Sequence, residues 1–166
     1  MRHLVLGFLG LWVLLMGTAM AGCYEKAEME AEQGLRIHSE LMVISLNCQH
    51  MSHKRGNLYI LYREFTCKHQ ALFSDYERRL ISYYQRQGVR NPERKLHNMR
   101  TQLANQVAQD AAKMRPDIFC RTYSNRIPEA MQLDTRQVRQ WAETVHPGRK
   151  LSQPVCASAS SGYNKG

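Results

Sequence analysis

The sequence from Leu58 to Tyr83, LYILYREFTCKHQALFSDYERRLISY, decides the fold class of this chain. Its apolar and aromatic side chains recur every three or four residues, which is the spacing of one face of an amphipathic α-helix. These positions are Leu58, Tyr62, Phe65, His69, Leu72, Tyr76, Leu80 and Tyr83. Asn57 is a suitable N-cap and Gly88 a suitable end, so we expect one continuous helix of about 28 residues, roughly 42 Å long.

Two further long helices are predicted on either side of this one. The first runs from about Tyr24 to Cys48, and the acidic residues of its opening turns suit the positive end of a helix dipole. The other begins at Asn91-Pro92, an N-cap followed by a first-turn proline, and ends before Pro116. Their apolar faces consist of Ile37, Leu41, Ile44 and Cys48 in the first, and Leu96, Met99, Leu103, Val107, Ala111 and Met114 in the second.

Shorter elements complete the pattern. Residues 117–125 are expected to form an extra turn or short helix that carries Phe119 and Cys120. Asp134 and Gln137 have the spacing of a capping box in front of a short amphipathic helix. The chain has no convincing strand pattern. The sequence therefore predicts an all-α fold, an antiparallel up-down helical bundle of three to four helices, stabilised by disulfides.

The first 22 residues predict an export signal peptide. Arg2 precedes an apolar run from Leu4 to Met16, which is too short to span a bilayer comfortably, and small residues follow it. Cleavage after Ala21 would release a soluble protein. The residues before Cys23 also resemble a bacterial lipobox, which would leave a lipidated Cys23 at the mature N-terminus. We expect an exported protein of the periplasm or cell envelope, attached to a membrane only if Cys23 is lipidated.

The residues after the predicted signal peptide are expected to form one domain and a tail. Residues 23–147 have a length and apolar content that suit a single helical domain with a real core. The segment after it is rich in Ser, Ala and Gly, so residues 148–166 are expected to form a flexible C-terminal tail.

The charge balance suggests the class of partner. The chain has 23 Lys and Arg against 14 Asp and Glu, a formal charge of +9, and loss of Arg2 with the signal would leave +8. Such a balance in a cytosolic protein would indicate nucleic acid, but export argues against that partner. We expect either an envelope protein or an anionic envelope surface as the partner, although a solvated basic surface without a partner would have the same composition.

The five cysteines contain no CxxC pair, and an exported chain favours disulfides. In an up-down bundle Cys48 and Cys120 would lie at the same end. Cys67 lies opposite the apolar stripe of its helix, so its partner is expected from a peripheral segment, with Cys156 of the tail as the candidate. Cys23 would then be left over, as a lipidated, free or intermolecular thiol. Four cysteines permit three pairings, so the alternatives stay open.

One cluster has the chemistry of a metal site. His50, Met51 and His53 combine imidazole and thioether ligands, which suit Cu(I). The sequence shows no second group of ligands, and Lys54 and Arg55 add positive charge, so an ordinary polar loop is the favoured interpretation. We expect no bound cofactor.

Other polar residues have structural interpretations. His69 is expected to be a hydrogen-bonded core histidine, and Asp110 is expected to form an ion pair with an arginine. Five tyrosines could stack on sugars, but their helical spacing favours core and boundary positions: Tyr59, Tyr62, Tyr76, Tyr83 and Tyr84. The sequence has no GxSxG, HExxH or Gly-rich phosphate loop, and the protein is not expected to be an enzyme.

Four motifs resemble a group of small exported bacterial helical proteins of no assigned activity. They are the sequence from Arg36 to Cys48, Tyr62-x-x-Phe65, Leu103-Ala104-Asn105-Gln106 and Phe119-Cys120. The resemblance covers roughly residues 23–121 and implies a secreted helical domain with a Cys48–Cys120 disulfide. It implies no function. Cys67, the acid-rich start and the tail after Pro147 depart from its pattern, so it implies nothing about Cys67 or Cys156.

These observations predict a non-enzymatic, exported cell-envelope protein that acts as an interaction or accessory module. One alternative is a lipoprotein chaperone that resembles the pilotins of secretion systems. The other is a periplasmic copper-binding protein that uses His50, Met51 and His53.

Overall fold

The computed structural model describes residues 22–51, 56–144 and 150–157. The regular secondary structure of these residues is helical, so the predicted all-α class is confirmed, and an isolated parallel bridge joins Tyr24 to Val155. In chain order the helices are α1 Lys26–Asn47, α2 Leu58–Lys68, α3 Gln70–Arg86, α4 Pro92–Ala112, α5 Pro116–Tyr123, α6 Arg126–Ala130 and α7 Thr135–Glu143. The predicted signal peptide lies outside the described residues, except for Gly22.

Helix α1 lies at the centre of the domain and contacts each of the other six helices. The ring of Tyr24, just before α1, packs edge-on against Tyr83 with centroids 4.8 Å apart. The ring of His38, further along α1, packs in the same way against Phe73. Because the later residue of α1 meets the earlier residue of α3, these two helices run in opposite directions.

The prediction of one continuous helix from Asn57 to Gly88 is wrong, because the helix is broken at His69 into α2 and α3. Contacts with the α6–α7 connection lie next to the break: Lys68 Nζ donates to the carbonyls of Met131 and Leu133, at 3.0 and 2.8 Å. The break inserts no extra residue, and the buried face continues from Phe65 to Leu72 across it. Periodicity in the sequence therefore could not reveal it.

The elements after α4 agree more closely with those predicted from the sequence. The predicted short element is present as α5 and is followed directly by α6. At the start of α7 the Asp134 carboxylate accepts from the Gln137 backbone N–H at 2.7 Å, and the Gln137 side chain accepts from the Asp134 N–H at 2.8 Å. This reciprocal pair is the predicted capping box.

The prediction of a flexible tail over residues 148–166 is wrong for residues 150–157, which we call the C-terminal strap. Tyr24 N–H donates to the carbonyl of Pro154 at 2.8 Å, and Cys156 N–H donates to the carbonyl of Tyr24 at 2.9 Å. Leu151 and Val155 of the strap pack against the core. The docked residues contain one Ser, one Ala and no Gly, so the composition that predicts flexibility lies mainly in the residues after them. Residues 145–149 and 158–166 lie outside the described part.

Two disulfides join the described cysteines. Cys48 is bonded to Cys120, the pairing favoured by the sequence, and both side chains are fully buried. The predicted bond between Cys67 and Cys156 is absent, because the strap reaches the start of α1 and Cys156 is bonded to Cys23. Cys67 faces outward, as its position opposite the stripe predicts, but it is an exposed free thiol.

No helix in residues 22–51, 56–144 and 150–157 is long and apolar enough to cross a membrane.

Candidate functional site

The N-terminal half of α1 carries carboxylates that are unusually buried for charged groups. Glu28, Glu30 and Glu32 are 8%, 7% and 0% exposed. A buried charge is costly unless it is paired and hydrogen-bonded, so each of these carboxylates needs a partner. The partners come from α3, α7, the strap and α1 itself, and together they form what we call the α1 charge network.

Two of the carboxylates bind arginines near the surface. Glu28 Oε1 accepts from Arg86 at 2.7 Å. Glu30 Oε1 accepts from the Tyr76 hydroxyl and from Arg139, each at 2.8 Å. Burial, together with the hydrogen bond to Glu30, raises the pKa of Tyr76 above its ordinary value. Tyr76 therefore stays a hydroxyl donor across the physiological range, which suits a structural role.

Glu32, the most buried of the three, is held by the C-terminal strap. The Ser152 backbone N–H donates to Glu32 Oε1 at 2.9 Å, and the Ser152 hydroxyl donates to Glu32 Oε2. Because the Ser152 proton points to Glu32, the Tyr24 hydroxyl is the donor in its 2.8 Å contact with Ser152 Oγ. Burial, followed by the nearby Glu32 carboxylate, raises the pKa of Tyr24, so that hydroxyl keeps its proton.

Arg36 continues this network one helical turn after Glu32. Its Nη2 donates to Glu32 at 3.4 Å and to the carbonyl of Lys150 at 3.0 Å, and its Nη1 donates to Gln106 at 3.2 Å. The strap therefore covers a cleft with a carboxylate at one end and a guanidinium at the other. We call it the strap cleft, and its walls are Tyr24, Glu32 and Arg36.

A second concave feature lies between α1 and α4. This groove of about 320 Å³ is lined by His38, Ser39, Met42, His97, Arg100, Thr101, Ala104 and Asn105. His38 Nε2 lies 3.1 Å from the Tyr62 hydroxyl and 3.4 Å from Thr66 Oγ1. The Thr66 hydroxyl donates to the carbonyl of Tyr62, and the tautomer of His38 sets the direction of its contacts with Thr66 and Tyr62.

Burial and the Arg100 guanidinium lower the pKa of His38 to about 4. The imidazole is therefore neutral at physiological pH. Arg100 itself is paired with Glu77 of α3, so the guanidinium in the groove has a counter-ion.

The α3–α4 end is the third feature, and it is cationic. Arg86, Arg90, Arg94 and Lys95 lie within ten residues that contain one acid, Glu93. Arg86 is paired with Glu28. Within the described part of the chain, Arg90, Arg94 and Lys95 are exposed and make no ion pair with a carboxylate. They form a positive surface next to the start of α4, which we call the cationic end.

The residues predicted as metal ligands are not assembled into a site in the described structure. His50 is exposed and Met51 is partly buried against the core, while His53 lies outside the described residues. The described ranges contain no group of three or more His, Cys, Asp or Glu side chains that could hold a metal ion. The copper hypothesis therefore stays a prediction.

The other predicted polar residues have mainly structural surroundings. His69 is buried, and its Nδ1 lies 3.5 Å from Thr135 Oγ1. Asp110 forms an ion pair with Lys113. Four of the five tyrosines are buried and do not offer rings for stacking, and only Tyr59 of this set is exposed.

Lipidation at Cys23 stays a prediction, and the Cys23–Cys156 disulfide uses the atom that a lipid would need. A lipoprotein carries its lipid on the cysteine sulfur, and in this structure the Cys23 sulfur is bonded to Cys156. The same bond explains the odd count of cysteines differently, since the unpaired thiol belongs to Cys67.

Sequence reasoning missed the α1 charge network. From the sequence, the acids of α1 are assigned only to the positive end of the helix dipole. A usable signal was present, because Glu28, Glu32 and Arg36 are spaced four residues apart and share a face with buried positions. The contribution of Ser152 had no such signal.

No family model, no curated protein and no solved structure matches this chain.

Proposed function

We propose that this chain is an exported, non-enzymatic interaction module of the cell envelope, and that its cationic end binds an anionic partner. The carrying observation is that Arg90, Arg94 and Lys95 are exposed within a six-residue segment and make no ion pair with a carboxylate in the described structure. Elsewhere most arginines are paired, for example Arg126 with Glu40 and Arg121 with Asp117. Unpaired cations in one short segment are available to an anionic ligand.

Export is supported by the disulfides and by the first 22 residues. Disulfides persist in oxidising compartments, and this chain has two of them. The resemblance to small exported helical proteins agrees with that location. We also propose that α1, α3 and α4 form the antiparallel up-down bundle, with the cationic end at the connection between the second and third of these helices.

Anionic phospholipid is the partner that can be tested directly. Electrostatic attraction to such a surface contributes about 1 kcal/mol for each Lys or Arg close to it and weakens with salt. We expect the processed protein to sediment with phosphatidylglycerol vesicles and not with phosphatidylcholine vesicles, and raising the salt from 0.05 to 0.3 M should release it.

Two charge-matched variants locate the surface. Arg90→Gln/Arg94→Gln should reduce vesicle binding about tenfold or more, because two contacts are lost. Arg63→Gln/Arg136→Gln removes the same charge from exposed residues elsewhere and should bind like the wild type. Equal losses in both variants would show that net charge, not the cationic end, controls binding. Absence of binding to anionic vesicles would direct the search to an acidic envelope protein, tested by crosslinking from position 94 in cells.

A further inference from the structure

The strap contacts the domain in the way that a bound peptide contacts a receptor. Tyr24 pairs with it through one backbone donor and one backbone acceptor, as in strand addition to an exposed edge. Glu32 receives a backbone amide and a hydroxyl from the same residue, Ser152. Arg36 donates to the carbonyl of Lys150. These hydrogen bonds recognise the backbone groups and one side-chain hydroxyl of an extended segment.

The surface below the strap differs from the core that surrounds the other disulfide. The strap covers a carboxylate and a guanidinium, both of which regain favourable hydration when the cleft opens. Cys48–Cys120, in contrast, joins two fully buried residues within the apolar core. Release of the strap therefore costs less apolar surface than release of the core disulfide region. Leu151 and Val155 supply the apolar contacts that are lost.

The two disulfides also differ in access to a reductant. Cys23 is only partly buried and Cys156 is 8% exposed, whereas Cys48 and Cys120 are both 0% exposed. Thiol–disulfide exchange needs a thiolate to reach a sulfur along the S–S axis, so access controls the rate. A soluble or protein dithiol should reach Cys23 first.

We propose that the strap is the resident occupant of a peptide-binding cleft, that a dithiol reductant releases it by opening Cys23–Cys156, and that the vacated cleft binds an extended serine- or threonine-containing segment of a partner protein. The dithiol attacks Cys23 Sγ to form a mixed disulfide and expels the Cys156 thiolate, which takes up a proton. The second thiol of the reductant then displaces Cys23. The products are two protein thiols and the oxidised reductant.

The first test follows selective reduction. Dithiothreitol is added to the processed protein, samples are alkylated over time, and the cysteines are mapped by mass spectrometry. We expect Cys23 and Cys156 to be alkylated at least about tenfold faster than Cys48 and Cys120, because of their access. Equal rates, or earlier opening of Cys48–Cys120, would overturn the proposed gate.

The second test asks whether the strap leaves while the helices remain. In the variant Cys23→Ser/Cys156→Ser, hydrogen exchange at the backbone amides of positions 152 and 156 should accelerate at least about tenfold. The helical circular dichroism signal at 20 °C should be unchanged. Strap amides as protected as in the wild type would show that the strap is a permanent part of the fold. Loss of helix would show the same, because the strap would then belong to the cooperative core.

The third test measures binding of a peptide to the vacated cleft. In the full chain, Cys23→Ser/Cys156→Ser/Ser152→Asp ejects the resident strap by placing a carboxylate against Glu32. A fluorescent peptide of sequence 150–157 with Cys156→Ser should bind this variant and should not bind the wild type. The same peptide with Ser152→Ala should bind about tenfold more weakly, because a hydrogen bond to a carboxylate is lost. Failure of the first peptide to bind, or equal binding of both, would overturn the cleft's proposed recognition.

Discussion

Gly34 of α1 and Tyr76 of α3 are in direct contact, and the contact requires glycine. A Cβ atom built on Gly34 would lie 2.2 Å from Tyr76 Cε2 and 2.6 Å from Cδ2. Real Cβ atoms do not approach other atoms so closely. Tyr76 is fully buried, and its hydroxyl is bonded to Glu30, so the ring cannot move aside without breaking that bond.

Gly34→Ala should therefore destabilise the protein, even though alanine is the better helix former by about 1 kcal/mol. We expect the overpacking to exceed this gain and to leave a net loss of about 1–2 kcal/mol, measured by urea unfolding. Ser82→Ala, at an exposed position of α3, is the control and should change stability by less than about 0.5 kcal/mol. A Gly34→Ala variant as stable as the wild type would contradict the close packing of α1 and α3.

The buried pair of Arg36 and Glu32 predicts an asymmetry between single and double variants. Arg36→Leu leaves the Glu32 carboxylate buried without its cation and should cost about 3–5 kcal/mol. Glu32→Gln/Arg36→Leu removes both charges and should cost clearly less than the single variant. Chemical unfolding of the two single variants and the double variant gives the coupling energy, and strict additivity would argue against the pair.

Acid should destabilise the protein through His38. Its pKa falls from 6.5 in the unfolded chain to about 4 in the fold, so the unfolded state binds more protons between these values. Stability is therefore full above pH 6.5 and is lost as the pH falls toward 4, by up to roughly 3 kcal/mol. His38→Gln has no proton to take up and should lose less stability across this window.

Parallel urea titrations of the wild type and His38→Gln at pH 7, 5.5 and 4.5 measure the difference. An identical pH dependence in both proteins would assign the acid sensitivity to other groups, among which buried His69 also has a lowered pKa because of desolvation.

The cysteines should differ sharply in their contribution to stability. Cys48→Ser/Cys120→Ser opens a loop that spans 72 residues, which corresponds to roughly 4 kcal/mol in the chain-entropy model. Cys67→Ser removes an exposed free thiol and should change stability by less than about 0.5 kcal/mol. Thermal melts rank the variants, and a thiol reagent should modify one cysteine per native chain. Modification of Cys23 or Cys156 in the untreated protein would contradict the disulfide assignment.

The sequence predicted the elements whose information is local. The α4 start at Asn91-Pro92 and the capping box at Asp134 depend on neighbouring residues, and both are present. The break at His69 lies beside contacts of Lys68 with carbonyl groups more than sixty residues away, and the stripe passes through it unchanged. The prediction of a flexible tail failed for a similar reason, because Ser152 of the strap is bound by Glu32, which is distant in the sequence. The outward position of Cys67 was predicted from helix geometry, but its pairing depended on the strap.

The bond between Cys23 and Cys156 also has a mechanical consequence. It joins two residues separated by 133 positions, so it closes nearly the whole domain into a covalent ring. A pulling force on the two ends of the chain passes through the S–S bond and bypasses the helices between them. An unfolding motor or a stretching experiment that grips both ends would extend only the residues outside the ring. While that bond is intact, the helices between Cys23 and Cys156 are shielded from tension.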